Sequence, residues 1–100
     1  MEELIRSYKE LHGQYVETSG IYYANFEQSA LFQHRMESNS KRAFWVDFSS
    51  DFNLSDSAWQ ALSNKRGTKV TLKGKIDTTS RGHLSQYSAT LRNTYYFDEN

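Results

Sequence analysis

The sequence predicts a mainly β domain, a small closed barrel of five or six strands with a helix before it and a short helix capping one end. Three observations predict this. First, one phrase occurs twice, Gly13-Gln14-Tyr15-Val16-Glu17-Thr18-Ser19-Gly20 and Gly67-Thr68-Lys69-Val70-Thr71-Leu72-Lys73-Gly74, with Gly, Val and Gly in the same places. A glycine seven residues into a strand pattern marks a bulge or sharp bend, and matched bends are what a closed barrel needs at its corners. Second, apolar and polar residues alternate through 69–76, the period-two signature of strands. Third, one helical pattern interrupts the strands, between the third and the fourth.

The first element, 2–12, is an amphipathic helix. Leu4, Ile5, Tyr8 and Leu11 fall at i, i+1, i+4 and i+7 and form one stripe, and Gly13 is a suitable stop. Glu2 and Glu3 suit its N-terminus electrostatically. A long strand follows over 14–25, then a second apolar segment over 26–32 and a polar loop over 33–41. The clearest strand is 42–48, with Phe44, Val46 and Phe48 on one face and Ala43, Trp45 and Asp47 on the other. After a turn at 49–53, the segment 54–64 holds a short helix capped by Ser55, with Ala58, Trp59 and Leu62 facing inward.

In the second copy of the repeat, Val70, Leu72, Gly74 and Ile76 share the inner face, and Lys69, Thr71, Lys73 and Lys75 share the outer one. A hairpin-like loop at 77–83 leads to a last strand over 84–97. That strand sets Tyr87, Ala89, Leu91 and Asn93 against Ser88, Thr90 and Arg92. This order suits an OB-like barrel. The expected core comprises Leu11, Val16, Phe26, Leu31, Phe44, Val46, Leu62, Val70, Leu72, Ile76 and Leu91. The chain reads as one domain, with the helix at 1–12 and the barrel at 13–97.

A chain of 100 residues supports one modest core. With no cysteine it has no disulfide framework, thiolate metal site or cysteine nucleophile, which fits a reducing compartment. The start is polar and acidic, unlike a secretory signal, and no apolar stretch reaches membrane-spanning length; a cytoplasmic location without membrane contact is expected. Charge is unevenly spread. Residues 1–57 carry nine acids and five bases, and the remainder three acids and seven bases. Aromatics make up 15% of the chain, supplying both core and recognition area.

Five pieces together resemble a family of small, mostly uncharacterised bacterial OB-like domains: Gly13-x-x-Val16-x-x-x-Gly20, Phe26-Glu27-x-Ser29-Ala30-Leu31, Phe44-Trp45-Val46-Asp47, Gly67-x-x-Val70-x-x-x-Gly74 and Gly82-His83-Leu84-x-x-Tyr87-Ser88. The resemblance covers nearly the whole chain, from about Leu11 to Leu91. It implies no reaction. It implies a binding scaffold that small bacterial proteins, toxin-neutralising immunity proteins among them, reuse. Many relatives carry a lipoprotein leader; this sequence shows none, which favours a cytoplasmic role over an envelope one.

Catalytic and metal motifs are lacking. There is no His-x-His or His-Glu-x-x-His spacing, no Gly-rich phosphate loop and no nucleophile elbow, so no enzyme, cofactor or metal is expected. His83, near Tyr87 and Ser88, reads as a structural histidine pinning its loop by a ring-nitrogen bond. Trp45 and Asp47 form either an exposed recognition patch or the second face of a covered strand.

The expected function is therefore protein binding, with a cognate toxin domain, a nuclease, as the partner. Glu17, Glu27, Glu37, Asp47, Asp51 and Asp56 would stand where phosphates sit in the toxin, and Tyr22, Tyr23 and Trp45 would anchor the interface. The alternative is a single-stranded nucleic-acid-binding barrel that tracks phosphates with Lys69, Lys73 and Lys75. Zero formal charge and the acidic first half weigh against it.

Overall fold

The computed structural model describes residues 1–25, 28–35, 39–49 and 66–99. Helix α1 (Glu2–Ser7) continues as a 3-10 turn over Tyr8–Leu11, so the expected amphipathic segment forms but tightens in its second half. Five strands follow among the described residues: β1 (Tyr15–Asn25), β2 (Gln28–Phe32), β3 (Ala43–Phe48), β4 (Arg66–Asp77) and β5 (Ala89–Glu99). They close in the order β1-β2-β3-β5-β4. All pairs are antiparallel except β3 with β5, which run parallel. This is a small OB-like barrel. The helix expected within 54–64 and the core positions Phe26 and Leu62 lie outside the described residues.

The two copies of the repeated phrase are β1 and β4, and they pair with each other. Val16 lies opposite Gly74, Gly20 opposite Val70, and Thr18 opposite Leu72, its own counterpart in the other copy. The ladder therefore has a local two-fold at the Thr18–Leu72 pair, and each valine faces the other copy's glycine. Both strand-interior glycines mark close approaches. A Cβ on Gly20 would lie 2.7 Å from the Phe32 carbonyl oxygen and 2.7 Å from the Met1 sulfur. On Gly74 it would lie 2.6 Å from Thr94 Oγ1.

The core is that of the inner strand faces. Leu31, Phe44, Val70, Leu72, Ile76 and Leu91 are fully buried and Val46 nearly so. Leu11 and Val16 are partly buried and pack against the same cluster, together with Met1, Ile5 and Tyr8. Leu4 and Ala89, from the expected apolar stripe and strand face, belong to this core too, as do Tyr22 and Ala24, which the expected core left out.

The last strand corrects the expectation most. It starts at Ala89, not Leu84: residues His83–Ser85 form a 3-10 turn in which Leu84 and Ser85 have positive φ. β4 and β5 are antiparallel neighbours, and the loop that joins them passes over Trp45 of β3 before the Ser88 N–H donates to the Ala43 carbonyl at 3.0 Å. Further along, Asn93, Thr94 and Tyr95 stand opposite Gly74 as a bulge, with Asn93 at φ 54°. The bulge reverses the faces, so Asn93 is exposed and Thr94 is buried, bonding the Leu91 carbonyl at 3.0 Å.

Candidate functional site: an acid-rimmed groove beside the first strand

The apolar stripe of α1 rests on the core, with Leu4 buried and the Tyr8 ring meeting Phe44 edge-on at 5.7 Å. The exit of this segment is tied to β4: Gly13 N–H donates to the Ile76 carbonyl at 2.8 Å, and Ile76 N–H to the Gln14 carbonyl at 2.9 Å. Between the tied segment and the first half of β1 a groove of about 590 Å³ remains. Its carboxylates are Glu3, Glu10 and Glu17, and Leu4, Leu11 and Val16 supply its apolar lining.

Glu17 projects from β1 and pairs with Lys73 on β4 at 3.4 Å. Both side chains are well exposed, so water screens the pair and it contributes little to stability. Thr18, the next residue, also lines the groove. It is 6% exposed and its hydroxyl is buried with no hydrogen-bond partner. A buried hydroxyl left in that state costs roughly 1–3 kcal/mol.

Of the expected anchors, Tyr22 is corrected outright. It is 2% exposed and sits among the core residues, with its hydroxyl 2.8 Å from Ser29 Oγ. Burial pushes the Tyr22 phenol up from its ordinary value, against the Ser29 bond. Its position on the inner face of β1 follows from alternation with Gly20 and Ala24, both buried.

Tyr23 is half-buried, edge-on to Phe32 at 5.5 Å. Trp45 is half-buried too: Tyr87 lies against it at 5.4 Å and the His83 ring stacks on it at 6.1 Å. A Cβ on Gly82 would come within 2.5 Å of the Trp45 Cβ, so the loop before β5 lies directly over this tryptophan. Trp45 thus belongs to a covered strand face. His83 is exposed and stacks on Trp45, and the ring-nitrogen bond expected of it is not found among the described residues.

Asp47 is exposed and does not join Trp45 in a patch. It accepts from Arg92 Nη1 at 3.2 Å, while Arg92 Nε donates to Asp77 at 2.7 Å. The Thr79 side chain, and then Arg92, hold the Asp77 carboxyl well below the usual range, at about 2. Nearby, His12 Nδ1 accepts the Thr78 N–H at 3.1 Å and lines a smaller crevice of about 300 Å³ with Lys75, Asp77 and Arg92. Glu27, Glu37, Asp51 and Asp56 lie outside the described residues.

The structure thus brings Glu17 together with Glu3 and Glu10, which sequence reasoning missed. Glu3 lies on α1 and Glu10 on the 3-10 turn after it, and no local pattern marks their approach to β1. Lys69, Lys73 and Lys75 do share the outer face of β4, but Lys73 is engaged by Glu17. The exposed rings beside that row are Tyr15 and Tyr95, 56% and 51% exposed and edge-on to each other at 6.0 Å.

Among the described residues no group of three or more His, Asp or Glu side chains is placed to hold a metal ion, and no helix is long and apolar enough to cross a membrane. Compared with protein-family models, curated proteins and solved structures, the chain matches none of them.

Proposed function

We propose that this chain is a non-catalytic protein-binding barrel, a cytoplasmic bacterial immunity protein that neutralises a cognate nuclease toxin by covering its active site. The observation that carries the reading is the groove beside β1, lined by Glu3, Glu10 and Glu17 together with the apolar Leu4, Leu11 and Val16. A nuclease groove is basic because it must hold phosphates, and carboxylates on an apolar bed complement such a surface. The loop over Trp45 supports the same role: the β2–β3 face, on which OB barrels bind oligonucleotides, is here packed with the chain's own residues.

The test is capture of a partner from the native host on the tagged protein after nuclease treatment, followed by an assay of that partner's nuclease activity. One stoichiometric partner whose activity disappears at equimolar protein supports the reading. A partner with no nuclease activity, or one still active in the complex, overturns it.

A second reading is favoured by one observation. Tyr15 and Tyr95 are exposed rings close to Lys75, the register partner of Tyr15, which is the combination that stacks bases and holds phosphates. Single-stranded nucleic acid would then bind the β1–β4–β5 face, with an affinity that falls steeply as salt is raised.

A further inference from the structure

We infer that Tyr15, Tyr95, Lys75 and His12 form a site for one nucleotide. A tyrosine ring takes the base, and Lys75 and His12 take the phosphate. This rests on the second reading above, single-stranded nucleic acid on the β1–β4–β5 face, and narrows it to a site. Exposed apolar residues scattered singly are ordinary. Here the two exposed tyrosines among the described residues stand together, ring against ring at 6.0 Å.

The bulge in β5 makes Tyr95 informative. Strict alternation from Leu91 would turn residue 95 inward and residue 94 outward. The structure does the reverse: Thr94 is fully buried and Tyr95 is exposed. Burial of apolar area alone favours the opposite choice, a ring inside and a hydroxyl outside. The exchange also holds Asn93 at a left-handed φ of 54°. Bulges re-aim side chains, and this one aims a ring at the outer face beside Tyr15.

β4 runs between the strands that carry the two rings, and Lys75 is the ladder partner of Tyr15 on one side and of Arg92 on the other. Arg92 is engaged by Asp77 and Asp47, and Lys73 by Glu17. Lys75 makes no hydrogen bond or ion pair among the described residues. It lines the crevice of about 300 Å³ with His12 and Asp77, and Arg92 at 2.7 Å balances the Asp77 charge. His12 Nδ1 accepts the Thr78 N–H, so the neutral ring carries its proton on Nε2. That Nε2–H has no acceptor among the described residues. The crevice therefore offers an ammonium and an imidazole N–H to a phosphate, and the rings beside it offer faces to a base.

The probes are thymidine monophosphate, thymidine, inorganic phosphate and hexathymidylate, each titrated into the full chain and followed by amide NMR. The monophosphate should shift amides over 12–15, 74–76 and 92–95, with thymidine and phosphate each weaker by about tenfold. Tyr95→Ala and Lys75→Gln should each weaken the monophosphate by about tenfold, the loss of one stacked ring or one phosphate contact. Neither side chain belongs to the core, so neither change should unfold the barrel. With hexathymidylate, Lys75→Gln should also flatten the salt dependence, whereas Tyr95→Ala should leave it unchanged.

No shift with the monophosphate, equal binding of thymidine, or affinity indifferent to both substitutions overturns the site. So does a protein partner whose affinity falls with Tyr95→Ala while no nucleotide binds, since the rings are then protein anchors. The site and the reading fail separately. Hexathymidylate that binds the unaltered chain and both variants alike leaves the nucleic-acid reading and removes the site. Monophosphate that binds at these residues, with no binding of the strand, keeps a free-nucleotide site and removes the reading.

Discussion

In β1 the repeated phrase places Thr18 at the local two-fold; in β4 it places Leu72. The two strands share their glycine and valine spacing, and Gly13 and Gly67 both enter with φ near +80°. Their surroundings differ. The second copy is sealed on its inner face by Val70, Leu72 and Ile76, all fully buried. The first copy starts with Val16 only partly buried, because α1 and its 3-10 turn cover it incompletely and leave the groove. Glycine and valine thus recur where the backbone demands are equal, whereas the central residue is wholly apolar where packing is complete and carries a hydroxyl where it is not.

Exchanging side chains at the central pair should show the largest contrast. Leu72→Ala empties a fully buried site and should cost about 3 kcal/mol by urea denaturation. Thr18→Val removes an unpartnered hydroxyl and should raise stability by about 1 kcal/mol. Equal losses at both positions would mean that Thr18 is a structural residue like its counterpart.

The glycines sharpen the comparison one step down. Gly20→Ala sets a methyl against the Phe32 backbone oxygen and should cost about 2–3 kcal/mol, a clash that no nearby side-chain change relieves. Gly74→Ala meets the Thr94 side chain instead and should cost about 1–2 kcal/mol. Thr94→Ala should recover part of that loss in a double-mutant cycle, whereas no recovery would place the strain in the backbone of the bulge.

The smallest effect lies at the end of β4. Folding lowers the Asp77 carboxyl from 3.8 to about 2, so its stabilising contribution is present above about pH 4 and is lost as pH falls through 2. Asp77→Asn should therefore lower the melting temperature slightly at pH 6 and leave it unchanged near pH 2. A pH-independent difference would show that the carboxylate charge is not what matters.

Much of this fold was legible in the sequence because period-two alternation is a local property. Val70, Leu72 and Ile76 on one face of a strand need no knowledge of the rest of the chain, and their burial follows. Phe44 and Val46 were legible for the same reason. The candidate site was legible only at Glu17. Glu3 and Glu10 matter because a helix 14 residues away by sequence from Glu17 in one case and seven in the other folds back onto β1, which no window of alternation reports. Tyr22 and Trp45 misled in the same way: an aromatic in a strand reads as anchor or core depending on what lies over it.

By itself, then, the sequence determined that there are strands with matched glycine bends, an amphipathic segment ahead of them and an excess of acid in the first half. Only the tertiary structure decided that the two repeats pair with each other, that β5 returns parallel to β3, and that the bulge at Asn93 turns Thr94 inward. Only it decided that the loop before β5 covers Trp45 while the groove beside Thr18 stays open. The physical reason is that hydrophobic periodicity is written residue by residue, whereas cover, closure and charge proximity are made by segments distant along the chain.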